Sequence, residues 1–256
     1  DQVWNPSQRK KPEYFLDFGR NYKFKKMSYA ADSTTDEVSS EDLEALKKAL
    51  LEFAYISVRN EHSFNFVKSI INKDTYIVAD PTIIYDLDNN NDKIENNEKY
   101  ILSYILGKEI DGTHYKALKK IKQQYGDLSV YSVKIPTMNF EISKYADRVF
   151  YDLDPNEWIY MIKHATFIYT DSFHAVLFSL KYHKPFLAYY SERLRATRFR
   201  DLGKRYHIEK YIVKSVEEID KKGSLQVLPD YNIIDDLIEE HKLYSLEFLE
   251  KALREA

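Results

Sequence analysis

Two hydrophobic rhythms take turns along this chain. Short, nearly continuous apolar runs predict strands, and longer stretches with apolar residues three and four apart predict helices. Strand-like runs fall at Lys26–Ala31, Tyr55–Val58 and Thr75–Ala79, with helical patterns at Ser40–Phe53 and Glu61–Ile71 between them. Ser39 or Ser40 can cap the first helix, where Leu43, Leu46, Leu50 and Leu51 recur at helical spacing. Asp80-Pro81 then breaks the pattern, and the asparagine-rich stretch Asp86–Glu98 reads as a linker or loop between domains.

A second alternating series follows. Lys99–Leu106 is apolar at Tyr100, Ile101, Leu102, Tyr104, Ile105 and Leu106, as suits a strand buried on both faces. His114–Tyr125 reads as a helix closed by Gly126, a residue type favoured just past helix ends. Leu128–Val133 is a strand and Val149–Asp152 a candidate short one. Asp154-Pro155 opens a helix through Lys163, with aspartate as cap and proline at the first helical position. Phe167–Thr170 is a strand, Ser172–Tyr182 a helix and Pro185–Tyr190 a strand. An arginine-rich helix, Glu192–Tyr206, and an amphipathic helix, Asp230–Ala256, complete the chain. Alternating strands and helices predict an α/β fold with parallel sheets. The expected partition is residues 1–96 and residues 97–256, the final helix going with the second.

Composition narrows the function classes. At 256 residues, with 44% hydrophobic and 31% charged residues, the chain can bury a sizeable core. A net charge of −3 with well-mixed signs argues against a general nucleic-acid binder. The absence of cysteine excludes thiolate metal sites, disulfides and a cysteine nucleophile, and fits a reducing cytoplasm. No apolar run is long enough for a transmembrane helix. The 22 tyrosines, with many lysines, asparagines and isoleucines, have the flavour of a low-GC bacterium. Only 6 glycines are present and no dinucleotide fingerprint, which disfavours a nicotinamide or flavin enzyme. His62, His114, His164, His183, His207 and His241 form no metal-ligand spacing, and no HExxH, glycine-rich phosphate loop or GxSxG occurs.

Chemistry concentrates in three places. Thr170-Asp171-Ser172-Phe173-His174 joins a strand end to a buried helix, putting an imidazole in the first helical turn. In an α/β sheet that corner binds anions, through the helix dipole and backbone N–H groups. The same residues would equally serve as a core histidine beside a plain N-cap. Arg59, ending the strand Tyr55–Val58, can point into the crevice above a sheet and fork onto a carboxylate or phosphate. A salt bridge, for instance to Glu61, is the simpler alternative. Arg193, Arg195, Arg198 and Arg200 follow another strand end, where an anion pocket and a solvated basic face are both open.

Taken together, these segments resemble the polysaccharide pyruvyl transferase family. The opening Asp1-Gln2-Val3-Trp4-Asn5-Pro6 resembles an internal motif of that family, and Met27-Ser28-Tyr29-Ala30-Ala31 and Ile56-Ser57-Val58-Arg59 resemble two of its strands. Asp80-Pro81-Thr82, Tyr100-Ile101-Leu102, Thr170–Ser179 and Lys184-Pro185-Phe186 follow in the family's order, and Arg198 matches a later arginine. There are departures: Ala175 replaces a glycine and is expected to narrow backbone approach to a ligand, and Asn60 replaces a glutamate. By this comparison the chain starts about a hundred residues into the family, with the N-terminal Rossmann-like domain incomplete.

The resemblance implies a GT-B-like fold, two Rossmann-like domains facing across a cleft. It implies a cytoplasmic transferase, able to work at the inner face of the membrane, that needs no cofactor or metal. The donor would be phosphoenolpyruvate, and the acceptor a glycan or lipid-linked saccharide bound for a cell-surface polysaccharide or exopolysaccharide. The enol carbon is protonated, and a sugar hydroxyl attacks the carbon bearing phosphate. Phosphate leaves, and a second hydroxyl closes a pyruvate ketal. Histidine suits proton donation near neutrality, so His174 would act as acid or phosphate ligand. Arg59 and Arg198 would stabilise phosphate charge. Asp171, Ser172, Arg193 and Arg195 would help bind substrate. Two alternatives stay open: a non-catalytic glycan-binding relative, and a GT-B glycosyltransferase using a nucleotide sugar.

Overall fold

The computed structural model describes residues 3–19, 24–87, 98–107, 113–135, 142–190 and 193–255. The chain forms two compact units, Asp1–Tyr85 with Leu237–Ala256, and Asp86–Asp236.

The first unit is built on a parallel sheet in the order β1 (Lys26–Ala31), β2 (Phe53–Val58), β3 (Thr75–Ile77). Helix α1 (Ser40–Leu51) and helix α2 (Glu61–Ile70) make the crossovers. Each begins where a short polar side chain takes an orphan N–H of the first turn: the Ser39 hydroxyl accepts from Asp42 N and Asn60 Oδ1 from Ser63 N. Asp80-Pro81, read from sequence as a break, opens the short helix α3 (Pro81–Ile84), with Asp80 as its cap. One core joins Trp4, Phe15, Leu46, Leu50, Ile56 and Phe66.

The second unit is a six-stranded, wholly parallel sheet. Its strands are β4 (Tyr100–Tyr104), β5 (Ser129–Val133), β6 (Arg148–Phe150), β7 (Phe167–Thr170), β8 (Phe186–Tyr189) and β9 (Ile212–Val213). They lie in the order β6-β5-β4-β7-β8-β9. The chain steps outward from β4 to β6, then returns to lay β7 on the other side of β4. That is the doubly wound order, and β4 and β7 flank its switch point. Its helices are α4 (Thr113–Tyr125), α5 (Pro155–His164), α6 (Phe173–Lys181), α7 (Arg193–Tyr206) and α8 (Val216–Lys222); the last helix, α9 (Tyr231–Arg254), has only its first residues, up to Asp236, in this unit. Gly126 closes α4 at φ +97°, a conformation that penalises any Cβ. Asp154 caps α5 in a reciprocal capping box with Glu157. The predicted strand Lys99–Leu106 forms as β4 over Tyr100–Tyr104; Lys99 ahead of it is exposed, and within it only Tyr104 is partly exposed, the pattern of a strand covered on both faces.

Among the described residues, helices α3 and α8, the two-residue edge strand β9 and the short 3-10 turns at Pro12–Phe15, Asp17–Gly19, Ile142–Tyr145 and Glu209–Tyr211 have no counterpart in the expected elements. Most of the expected interdomain loop, residues 88–97, lies outside the described residues. The compact units divide between Tyr85 and Asp86, and α9 from Leu237 onward belongs with the first unit rather than the second. The reason is burial. Phe248 and Ala252 pack with Ala30 and Val78, and the Phe248 ring lies 5.0 Å from that of Tyr76. No helix among the described residues is long and apolar enough to cross a membrane.

The chain's two tryptophans fall one to each unit, Trp4 in the first and Trp158 in the second. This makes the packing of α9 testable. Phe248→Ala, in a Trp158→Phe background, is expected to cost the first unit about 3–5 kcal/mol. The cost is read as an earlier denaturant midpoint of Trp4 fluorescence, and an unchanged midpoint would refute the packing.

Candidate functional site

In a parallel sheet the backbone groups at strand ends have no ladder partner and must be satisfied otherwise. At the switch point this falls to the turn after β7. The Thr170 hydroxyl donates to Tyr104 O at 2.6 Å and accepts from Ser172 N at 3.0 Å. Asp171 accepts from Leu106 N at 2.5 Å and from Gly107 N at 2.6 Å, one bond to each carboxylate oxygen. The ends of β4 and β7 are thereby clamped together. Ser172 then caps α6, its hydroxyl accepting from Ala175 N.

That clamp fixes where His174 sits. The imidazole is in the first turn of α6, partly exposed, and edge-on to the Phe173 ring at 5.5 Å. With Ser172 it lines a pocket of about 430 Å³. The other walls come from the C-terminal ends of β4 and β5, the segment after β6 and the start of α5: Tyr104, Lys134, Tyr151, Asp154 and Trp158. The Trp158 ring meets Tyr104 at 5.3 Å and Phe178 at 5.2 Å, both near edge-to-face. Burial and then the nearby Asp171 carboxylate push the Tyr104 phenol up, further from physiological pH, at which a phenol is already neutral. None of these wall residues was singled out from sequence as a site residue; Asp154 was read as a cap alone. The available signal was topological, since a doubly wound sheet brings the ends of its first and fourth strands side by side.

Of the predicted site residues, Asp171, Ser172 and His174 come together. Asp171 faces backbone: both of its oxygens are engaged by the strand-end amides, which makes it part of the framework. Ala175 is fully buried and does not line this pocket. Helix α7 leaves the C-terminal end of β8, which pairs with β7, so its first turns rise from the same sheet edge as α6. The side chains of Arg193 and Arg195 lie outside the described residues. Arg198 is partly buried and does not line the pocket.

Arg59 belongs to the first unit. Its guanidinium is buried and bridges two carboxylates, Nη2 to Asp32 and Nη1 to Asp80 at 3.0 Å. The fork holds together the loops after β1 and β3. Asp32 also accepts from Thr34 N and from the Ser63 hydroxyl, and Asp80 from Thr82. Residues on either side of this group are strained, with φ +50° at Ala30 and +63° at Thr34. Among the described residues no cluster of histidine and acidic side chains could hold a metal ion.

A family model described as polysaccharide pyruvyl transferase matches residues 4–193. The matched span ends before Arg195 and Arg198, and its start at residue 4 gives no support to the expectation that family sequence is missing ahead of the chain. No curated protein matches the sequence. Among solved structures, UGT89C1 from Arabidopsis thaliana superposes with a TM-score of 0.56 at 12% identity, covering 94% of this chain and 69% of that one. The same protein complexed with UDP-L-rhamnose gives 0.52 at 11% identity, covering 92% and 68%. TarM gives 0.50 at 10% identity, covering 84% of this chain but 46% of its own, so the chain spans about half its length. These likenesses concern the fold, which is GT-B-like.

The two clamps predict separable losses. Arg59→Ala strands two buried carboxylates and is expected to destabilise the first unit by about 3–5 kcal/mol, read through Trp4 fluorescence. Asp171→Asn can no longer accept from both amides and is expected to cost the second unit about 1.5–3 kcal/mol, read through Trp158. Faster hydrogen exchange at Leu106 and Gly107 should accompany it; unchanged exchange at both amides would contradict the clamp.

Proposed function

This chain belongs to the polysaccharide pyruvyl transferase family, and we propose that it moves a pyruvyl group from phosphoenolpyruvate to a sugar of a cell-surface glycan, forming a pyruvate ketal and releasing phosphate. The observation that carries this reading is the His174 corner: an ionisable ring in the first turn of α6, at the switch point of a parallel sheet, opening on a pocket. A small, multiply charged anion is favoured there by the helix dipole and by the hydrogen-bonding imidazole.

The chemistry assigns roles on that basis. His174 binds the phosphate or delivers the proton to the enol carbon, which becomes the methyl of the ketal. One sugar hydroxyl attacks the carbon bearing phosphate. As the carbon–oxygen bond to phosphate breaks, the second hydroxyl closes the ring and its proton leaves with phosphate. Of the two hydroxyl protons, one thus balances the proton gained by carbon and one is carried off on phosphate. Arginines of α7, Arg198 foremost, supply positive charge from the same sheet edge. Arg59 acts as a positioning residue, holding the ends of β1, β2 and β3. Asp171 does the same for β4 and β7.

Two measurements on the full-length protein test this. Phosphoenolpyruvate near a hundredfold excess over its Kd should raise stability by about 2.7 kcal/mol in a thermal-shift titration, and nucleotide sugars should not. In a phosphate-release assay with a glycan acceptor, His174→Ala should lower kcat by about 10²–10⁴. Stabilisation by a nucleotide sugar in place of phosphoenolpyruvate would point to glycosyl transfer, and an unaffected kcat would remove His174 from the mechanism.

A further inference from the structure

We propose that the aromatic pocket beside the α6 corner is the subsite for the pyranose ring that accepts the pyruvyl group. This rests on the pyruvyl-transfer reading, which leaves little choice about where the acceptor lies. The attacked carbon is bonded to the phosphate oxygen, and attack requires the hydroxyl within about 3–3.5 Å of it. A ring carrying two such hydroxyls must therefore sit directly against the anion site. The pocket does so, because Ser172 and His174 form part of its wall.

Its size and chemistry fit the ring. About 430 Å³ is within the range of small-molecule sites. A pyranose has an apolar C–H face and a rim of hydroxyls. Tyr104, Trp158 and the exposed Tyr151 offer aromatic surface to the first. Asp154 and Lys134 offer an acceptor and a donor to the second. Asp154 uses Oδ1 to cap α5, and its Oδ2 makes no hydrogen bond among the described residues. The Trp158 indole N–H is enclosed and has no acceptor among the described residues. The planes of Trp158 and Tyr104 meet at 66°, and those of Trp158 and Phe178 at 85°. These rings form no parallel slot of the kind that sandwiches a flat base, whereas a puckered ring needs none.

The two tryptophans make the test direct. The indole region of a proton–nitrogen correlation spectrum should hold two cross-peaks, and Trp158→Phe identifies which is which. The probes are the methyl pyranosides of glucose, galactose, mannose and N-acetylmannosamine, then uridine monophosphate, then phosphoenolpyruvate. At least one pyranoside should shift the Trp158 peak saturably and leave the Trp4 peak still. Tyr151→Ala, a change at an exposed rim position, should weaken that binding several-fold while keeping both peaks in place. A Trp158 peak that moves with uridine monophosphate and with no pyranoside, or with none of the probes, overturns the proposal. If pyranosides shift Trp158 but phosphoenolpyruvate leaves the His174 ring signals unmoved, the sugar subsite stands and the donor assignment falls.

Discussion

A parallel sheet that changes winding direction must leave two neighbouring strand ends whose chains depart to opposite sides. The amides just beyond those ends have no sheet partner, and leaving them buried and unmet would cost about 1–3 kcal/mol each. In the second unit Asp171 meets this constraint by taking Leu106 N and Gly107 N on its two oxygens, while Thr170 ties Tyr104 to Ser172. The rest of the corner follows from it. With the turn fixed, Ser172 is in place to cap α6, α6 begins where it does, and the imidazole of His174 comes to the pocket wall in its first turn.

The first unit solves a related problem with the charges reversed. There three strand ends are joined by one cation, Arg59, lying between Asp32 and Asp80. A guanidinium suits the task because its fixed fork reaches two acceptors at once, where an ammonium would act as a single point charge. The carboxylate of Asp171 is engaged by backbone, so its hydrogen-bonding capacity goes to the framework. The guanidinium of Arg59 is spent on carboxylates, so its charge is largely neutralised where it lies. Under the proposed reaction the positive charge for a phosphate is assigned to the imidazole of α6 and the arginines of α7 instead.

This distinction also marks what could be read from the chain. Strands such as Phe167–Thr170 and the buried run from Tyr100 were legible because burial on both faces writes a local apolar signature. Helix starts at Ser39 and Asp154 and the stop at Gly126 were legible because capping acts over a few residues. The partners of Asp171 lie 64 and 65 positions away, and those of Arg59 lie 21 and 27 away. Spacing shows that a carboxylate or guanidinium stands at a strand end, but not which groups reach it first. The same limit hid β9, whose two residues are a strand only because β8 lies beside them. It also hid the allegiance of α9, whose amphipathic pattern is equally satisfied by any apolar partner.

Tyr104 connects the framework to the chemistry. As the last residue of β4 it gives its carbonyl to the Thr170 hydroxyl, and its ring packs against Trp158. A phenol is neutral near pH 7 without any shift, and burial and then the Asp171 carboxylate push this one further up, so it brings a hydroxyl and an aromatic edge to the pocket. Under the proposed pyruvyl transfer, a site that joins a small anion to a polyhydroxylated ring needs positive charge confined to one end and a partly apolar wall at the other. The proposal assigns the first to α6 and the second to the strand clamped beside it, both set at the switch point by topology.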